Sequence, residues 1–353
     1  MIMKQSKKKY LAPVGALLLA LLLVSVITFP MLSMEAKDIP VAIFSQDEGM
    51  QTPAGTVNAG QTMMKQITKS GNKALDWDVL KSKKEVKDAL KDGTYYAVFT
   101  IPQDFTKTGA TGGEKTLNVI LDQGKNPLVS NSLTSMLTAM SEQSGMKLQT
   151  EIVHSTADYG MLAMFLQMAC VMFIYVGSLI TSLMTTRNIG LSGSDAKRGA
   201  WGSYGIQLLY LACGALVLGF AAVSIVRGVT GIEISVGTLG LQLAVLAGGI
   251  MLLTNGFVNL MGTKGVAVPA LIFALGMSLM SLPHQFLPDF WDVAVASWEP
   301  LRYFGEGMRS LMYQDGQLWN CATVAAIVMG LVGIAAGMIA VTREKRYWDL
   351  AKA

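Results

Sequence analysis

Residues 236–283 read VGTLGLQLAVLAGGIMLLTNGFVNLMGTKGVAVPALIFALGMSLMSLP, and Lys264 is the one charged residue among them. A helix that crosses a bilayer needs ~20 consecutive, mostly apolar residues. The stretch holds two such runs, 236–261 and 265–283, parted only by Gly262-Thr263-Lys264, so it reads as a tight hairpin of two membrane helices. The second run is the shorter and carries Pro269 near its start. Outward from this hairpin, comparable runs lie at 11–32, 160–184, 202–226 and 320–341, giving six predicted spans.

The 353 residues are 52 % hydrophobic and only 15 % charged, and the mean hydropathy is +0.43. A soluble domain carries about a quarter charged residues. The deficit is local, because residues 33–159 have the composition of an ordinary soluble domain. The predicted fold is therefore an α-helical polytopic membrane protein with a small α/β extracytoplasmic domain inserted after the first helix. Its parts are a basic segment and first span (1–32), the domain (33–159), a five-helix membrane part (160–341) and a basic tail (342–353).

The first apolar run follows Lys4 and Lys7-Lys8-Lys9, like a signal peptide. It is longer than a usual signal core and no A-x-A site follows it, so it reads as an uncleaved anchor. Lys and Arg bias sets orientation. With the N-terminus inside, the cytoplasmic segments hold 12 Lys and Arg, and the short outer loops hold only Arg227, Arg302 and Arg309. Six spans return the C-terminus to the cytoplasm, where Arg343, Lys345 and Arg346 close the last span and Tyr347 and Trp348 suit an interfacial anchor. The chain reads as a multi-pass plasma-membrane protein with both termini cytoplasmic.

Within 33–159, Ile39–Phe44 reads as a strand, about 56–70 as a helix, Asp76–Val79 as a second strand and Ser82–Lys91 as an amphipathic helix. Tyr95–Ile101 and Leu117–Asp122 read as two further strands, and about 127–159 as one long helix leading to the second span. Strands alternating with helices predict an α/β domain. No catalytic set, cofactor site or metal site is legible. His154 stands alone in the domain, and Cys170, Cys213 and Cys321 all lie in apolar segments, which excludes a disulfide framework or a CxxC site in the domain. Gly113-Glu114-Lys115-Thr116 lacks the glycine directly before lysine that a phosphate loop requires.

The spans carry few polar side chains. Asn255 and Asn259, four apart on the fourth span, have two readings: hydrogen bonding between helices or lining a substrate path. Gln167, Gln207 and Gln242 are scattered on other spans, and small residues such as Gly248-Gly249 permit close packing. No intramembrane charge of the kind that marks ion relays is obvious. The segment 284–319 is too polar to span and too apolar for a free loop; Trp291, Trp298 and Trp319 suit headgroup depth. Glu306 and Arg309, three apart, could pair on one helix face.

Two segments of the domain carry a resemblance. Val41–Gly49 (VAIFSQDEG) resembles the "VAVVNxDxG" strand of the phage-infection-protein (YhgE/Pip) family and related ABC type-2 (ABC-2) permeases. Leu90–Phe105 (LKDGTYYAVFTIPQDF) resembles that family's "L-x-x-G-x-Y-Y-A-x-x-x-I-P-x-x-F" segment. A third stretch, Leu287–Trp291 followed by Pro300–Leu311, is similar to the "LP…P-x-x-Y-x-x-x-G-x-R" run before the last span of type-2 exporters. The short insert departs from the long helical insert usual in phage-infection proteins, which favours a compact permease subunit.

The resemblance implies a permease subunit of an exporter that moves an amphiphilic, lipid-like or antimicrobial substrate. Hydrolysis would belong to a separate cytoplasmic ABC ATPase that binds the ATP, so this chain would be a transport subunit and not an enzyme. A second permease chain, identical or related, would complete the assembly among membrane lipids, with no nucleic acid involved. The resemblance further implies that the loop 185–198 couples to the ATPase through Arg187, Asn188, Ser192, Asp195, Lys197 and Arg198. It implies that 284–319 forms a re-entrant extracellular gate through Pro300, Tyr303, Gly307 and Arg309, and that the cell is bacterial. The same loop also reads as a basic segment lying on anionic lipid. The rival function is a non-transporting surface receptor or envelope scaffold that presents the 33–159 domain.

Overall fold

The computed structural model describes residues 32–53, 55–69, 73–144, 146–191 and 199–352, together with 21, 25 and 28–30. The predicted first span lies largely outside the described residues, as do Ser192, Asp195, Lys197 and Arg198 of the predicted coupling loop. The chain divides into an α/β unit of residues 35–165 and 309–316, and a helical unit built mainly from 166–308 and 317–353.

In the α/β unit, β1 (Ile39–Ser45) is followed by a small hairpin, β2 (Met50–Thr52) and β3 (Gly55–Val57), and by α1 (Ala59–Thr68). Then come β4 (Leu75–Val79), α2 (Lys83–Lys91), β5 (Ala97–Ile101), α3 (Phe105–Ala110), β6 (Thr116–Asp122), α4 (Pro127–Ser144) and β7 (Lys147–Val153). The main sheet has the order β4-β1-β5-β6-β7, with β5 and β6 antiparallel and the other pairs parallel. An inner strand needs apolar residues on both faces, and β1 supplies them: Val41, Ala42 and Ile43 are fully buried. Local capping agrees with the helices. Asn58 accepts from Gln61 N at 2.7 Å at the start of α1. At α2, Ser82 Oγ accepts from Glu85 N at 3.2 Å while Glu85 Oε2 accepts from Lys81 N at 2.8 Å.

The long helix predicted over 127–159 is a correction. It stops at Ser144, and Lys147–Val153 is an edge strand parallel to β6. Thr150, Ile152 and Val153 are β-branched residues that favour a strand. Only a 3₁₀ stretch, Ala157–Met164, precedes the next helix.

The helical unit contains α5 (Leu166–Asn188), α6 (Gly199–Thr230), α7 (Val236–Met261), α8 (Ala267–Leu279), α9 (Pro300–Tyr313, whose residues from 309 on group with the α/β unit) and α10 (Cys321–Lys352). Among the described residues, four helical stretches are long and apolar enough to cross a membrane: 166–188, 199–230, 236–279 and 321–344. Their outer faces are apolar too: Val217 is 70 % and Val229 82 % exposed, as suits a lipid-facing surface. The third stretch merges the two runs of the predicted hairpin, with α8 only 13 residues long. At 1.5 Å per residue such a helix covers roughly 20 Å, short of the ~30 Å hydrocarbon core. The chain turns back at Gly262 (φ +67°, ψ −156°), a conformation open essentially to glycine alone, and Gly265 lies against the Phe257–Val258 backbone.

Helix α7 is the centre of the unit. Gly249 and Gly256 meet the backbone of α10 at Ala326 and Gly333, and Gly219 of α6 meets α7 at Gly240 and Ala244. These contacts leave no room for a Cβ, so the small residues set the close approach of the helices. Ser182 Oγ donates to Met251 O at 2.7 Å, tying α5 to the same core.

Candidate functional site

A polar knot holds one end of the helical unit together. Asn255, fully buried on α7, donates to Thr186 Oγ1 of α5 at 2.8 Å and to Gln207 Oε1 of α6 at 2.9 Å. Asn259, one turn on, donates to Gln207 Oε1 at 2.7 Å and to Asn255 Oδ1 at 3.2 Å. Gln207 in turn donates to the Ile189 carbonyl. Three helices and the first residue of the α5–α6 loop are thereby bonded into one network, each amide answering another. Arg187 and Asn188 are the last residues of α5, within the same end. A buried amide left unbonded costs ~1–3 kcal/mol, so this network strongly specifies the arrangement of α5, α6 and α7. Gln242 plays a similar part towards the start of α7, bonding Thr323 at 3.2 Å.

The segment between α8 and α10 is built around a buried acid that sequence reasoning missed. Glu299 is fully buried and stands at the start of α9, where its Oε2 accepts from Arg302 N at 3.1 Å. Among the described residues its Oε1 has no hydrogen-bond partner, and the carboxylate lies directly against Gly276 of α8. Burial pushes its pKa up to about 8, opposed only in part by the backbone N–H groups of Arg302 and Leu301. The Arg302 guanidinium turns to Glu306 at 3.0 Å and to the Ala296 carbonyl at 3.2 Å. Glu306 is thus paired with Arg302, four residues before it.

Of the predicted gate residues, Pro300 opens α9, where its missing N–H costs nothing. Tyr303 Oη donates to Ser297 O at 2.6 Å. Gly307 lies against Ala322 and Asn320, and its carbonyl accepts from Asn320 at 3.5 Å. Arg309 is buried and groups with the α/β unit. In that unit Gln314 donates to Asp122 Oδ2 at 3.1 Å, Tyr313 Oη donates to Ala163 O at 3.1 Å, and His154 Nδ1 lies 3.1 Å from Asp122 Oδ1.

The two motif segments of the α/β unit meet in space. Gln46 N donates to Ile101 O at 2.9 Å, and Gln103 bonds Glu48 at 2.5 Å. Asp47 sits between them, accepting from Thr106 N at 3.1 Å, Gly60 N at 2.9 Å, Gly49 N at 3.3 Å and the Thr106 hydroxyl. Burial pushes its carboxyl up, but these four bonds outweigh burial and hold it below the ordinary carboxylate range. Among the described residues, no cluster of His, Cys, Asp and Glu could hold a metal ion.

A protein-family model described as "ABC-2 family transporter protein" matches residues 14–342, nearly the whole chain. No curated protein and no solved structure matches it.

Proposed function

We propose, from the premise that this chain belongs to the ABC-2 family of transporter proteins and is a membrane-embedded transport permease, that it is the permease subunit of an exporter for an amphiphilic, lipid-like or antimicrobial substrate. The observation that carries the reading is the family match over residues 14–342, joined to apolar helices. The finer resemblance to the YhgE/Pip-related group rests on the two motif segments, which lock around Asp47. In this reading six helices cross the plasma membrane of a bacterial cell and both termini are cytoplasmic. The α/β unit stands outside, and a cytoplasmic ABC ATPase supplies the energy to this chain and a second permease copy.

The coupling residues would be Arg187, Asn188, Ser192, Asp195, Lys197 and Arg198. The Gln207–Asn255–Asn259 knot supports that role, because it ties the loop's first carbonyl to three helices. A push on the loop would then reach α5, α6 and α7 together. Pro300, Tyr303, Gly307 and Arg309 would form the outer gate. The test is co-purification of the tagged full chain from its native membrane. A Walker-type ATPase should accompany it, and ATP hydrolysis should depend on the chain. R187E/K197E/R198E should abolish that dependence while leaving thermal stability unchanged. Hydrolysis indifferent to the chain would sink the exporter reading and favour the receptor or scaffold.

A further inference from the structure

The two faces of the main sheet are covered unequally. One carries the fully or almost fully buried Ile43, Phe99 and Val119. On the other face the strand register lines up two transverse rows. Phe44, Thr100, Asn118 and Gln149 form the first, and Ala42, Val98, Ile120 and Glu151 the second. Ala42 and Val98 are buried, and across an open groove of about 710 Å³ the remaining residues of these rows face helix α2. Its apolar positions Val86 and Leu90 are only half-buried. An amphipathic helix normally seats such residues in a packed core, whereas here both border the groove. Ligand pockets span ~300–1,000 Å³ and pair apolar walls with a few placed polar groups.

The groove's chemistry selects its occupant. Lys83, Val86, Lys87 and Leu90 all line it, at the i, i+3, i+4, i+7 spacing of one helix face. Two cations and two aliphatic side chains thus alternate along one wall. Phe44 and Ile120 give an apolar floor, and the single carboxylate, Glu151, lies across the sheet on β7. We propose that this groove binds an anionic amphiphile, with its chain over Phe44, Val86, Leu90 and Ile120 and its acidic head against Lys83 and Lys87. The inference rests on the exporter reading for its biological sense, since it makes the groove a receiving site for cargo of that class.

The test uses the full chain in nanodiscs of neutral phosphatidylcholine. The probes are a diazirine-bearing twelve-carbon fatty acid and the matching uncharged alcohol, with labelled peptides mapped by mass spectrometry. The acid should label peptides containing Phe44 and residues 83–91, and the alcohol should label them several-fold less. K83E/K87E, an exposed pair whose change leaves folding intact, should cut labelling by the acid about tenfold and leave the alcohol unaffected. T100W, which fills the groove floor, should block both. Labelling of 83–91 that survives both variants would mean that α2 lies on the bilayer surface and would overturn the proposal. Label confined to the membrane helices would do the same. Labelling needs no ATPase, so an intact groove with no chain-dependent ATP hydrolysis would refute the exporter reading alone.

Discussion

Two buried carboxylates, one in each unit, are treated in opposite ways. Asp47 in the α/β unit and Glu299 in the helical unit both press against a glycine, Gly60 and Gly276 respectively. Gly60 is the second residue of α1, so its N–H is free to bond Asp47 at 2.9 Å. Gly276 lies inside α8, where its N–H belongs to the helix, and it presents only a bare Cα to Glu299. Asp47 therefore collects four donors and stays ionised, whereas Glu299 keeps one oxygen unbonded and holds its proton up to about pH 8. The lesson is about glycine position. At a helix start a glycine makes an anion site, and in a helix interior it makes only room.

The comparison breaks most visibly at Asp47. Asp47→Ala strips the acceptor from Gly60 N, Thr106 N, Gly49 N and the Thr106 hydroxyl at once. Each buried donor left unsatisfied costs ~1–3 kcal/mol, and relaxation will recover part, so a loss of ~3 kcal/mol or more is expected. Hydrogen exchange in the full chain should show it as faster exchange across 97–110, with the helical unit unchanged. On the other side, Gly276→Ala would ordinarily steady a helix by ~1 kcal/mol. Here the added methyl collides with the Glu299 carboxylate, and overpacking costs ~1–3 kcal/mol. The melting temperature should fall, and Glu299→Ala should remove the penalty of Gly276→Ala in a double-mutant cycle. Additive losses would mean that the contact does not govern α8.

Acidity separates the two sites by sign. The folded pKa of Asp47 is depressed, so its stabilisation is present above the unfolded value and is lost as pH falls through the folded one. The folded pKa of Glu299 is raised from 4.5 to about 8, so the stability it lends is full below 4.5 and is lost as pH rises through 8. Melting curves of the purified chain should decline by a few degrees between pH 6 and pH 9 and level off in Glu299→Gln. A decline identical in both would remove Glu299 as the cause.

The two sites were unequally legible. Asp47 and Gly49 were visible as motif residues, and the strand before them follows from an unbroken apolar run. Their bonding to Gly60 and Thr106 was not visible, because it depends on the sheet bringing 47 and 106 together. Glu299 was hidden although it directly precedes the Pro300–Leu311 motif. Its burial depends on Gly276, 23 residues upstream on another helix, and an acid beside Trp298 and Pro300 reads as an ordinary interfacial residue. Asn255 and Asn259 announced themselves by spacing, whereas Gln207 and Thr186, which answer them, lie 48 and 69 residues away. Periodicity reports one helix at a time. The β7 miss has a related root: Thr150, Ile152 and Val153 favour a strand locally, but the parallel pairing with β6 that fixes it in the sheet is not visible in the segment itself.

The smallest test concerns the charge pair just beyond Glu299. Arg302 could have turned back to neutralise the buried acid, but it bonds Glu306 one turn on and the Ala296 carbonyl. Both side chains of the pair are partly exposed, at 16 % and 35 %, and an i,i+4 ion pair of this kind contributes ~0.3–0.5 kcal/mol. Glu306→Gln should therefore barely change stability at neutral pH. It also frees the guanidinium, and a cation released two residues from the α9 start lowers the cost of ionising Glu299. The pH at which the melting curve declines should move downward and the decline should shrink, at nearly unchanged maximal stability. If the decline stays where it was, Arg302 cannot reach the acid, and the isolation of Glu299 is set by the packing of α8 alone.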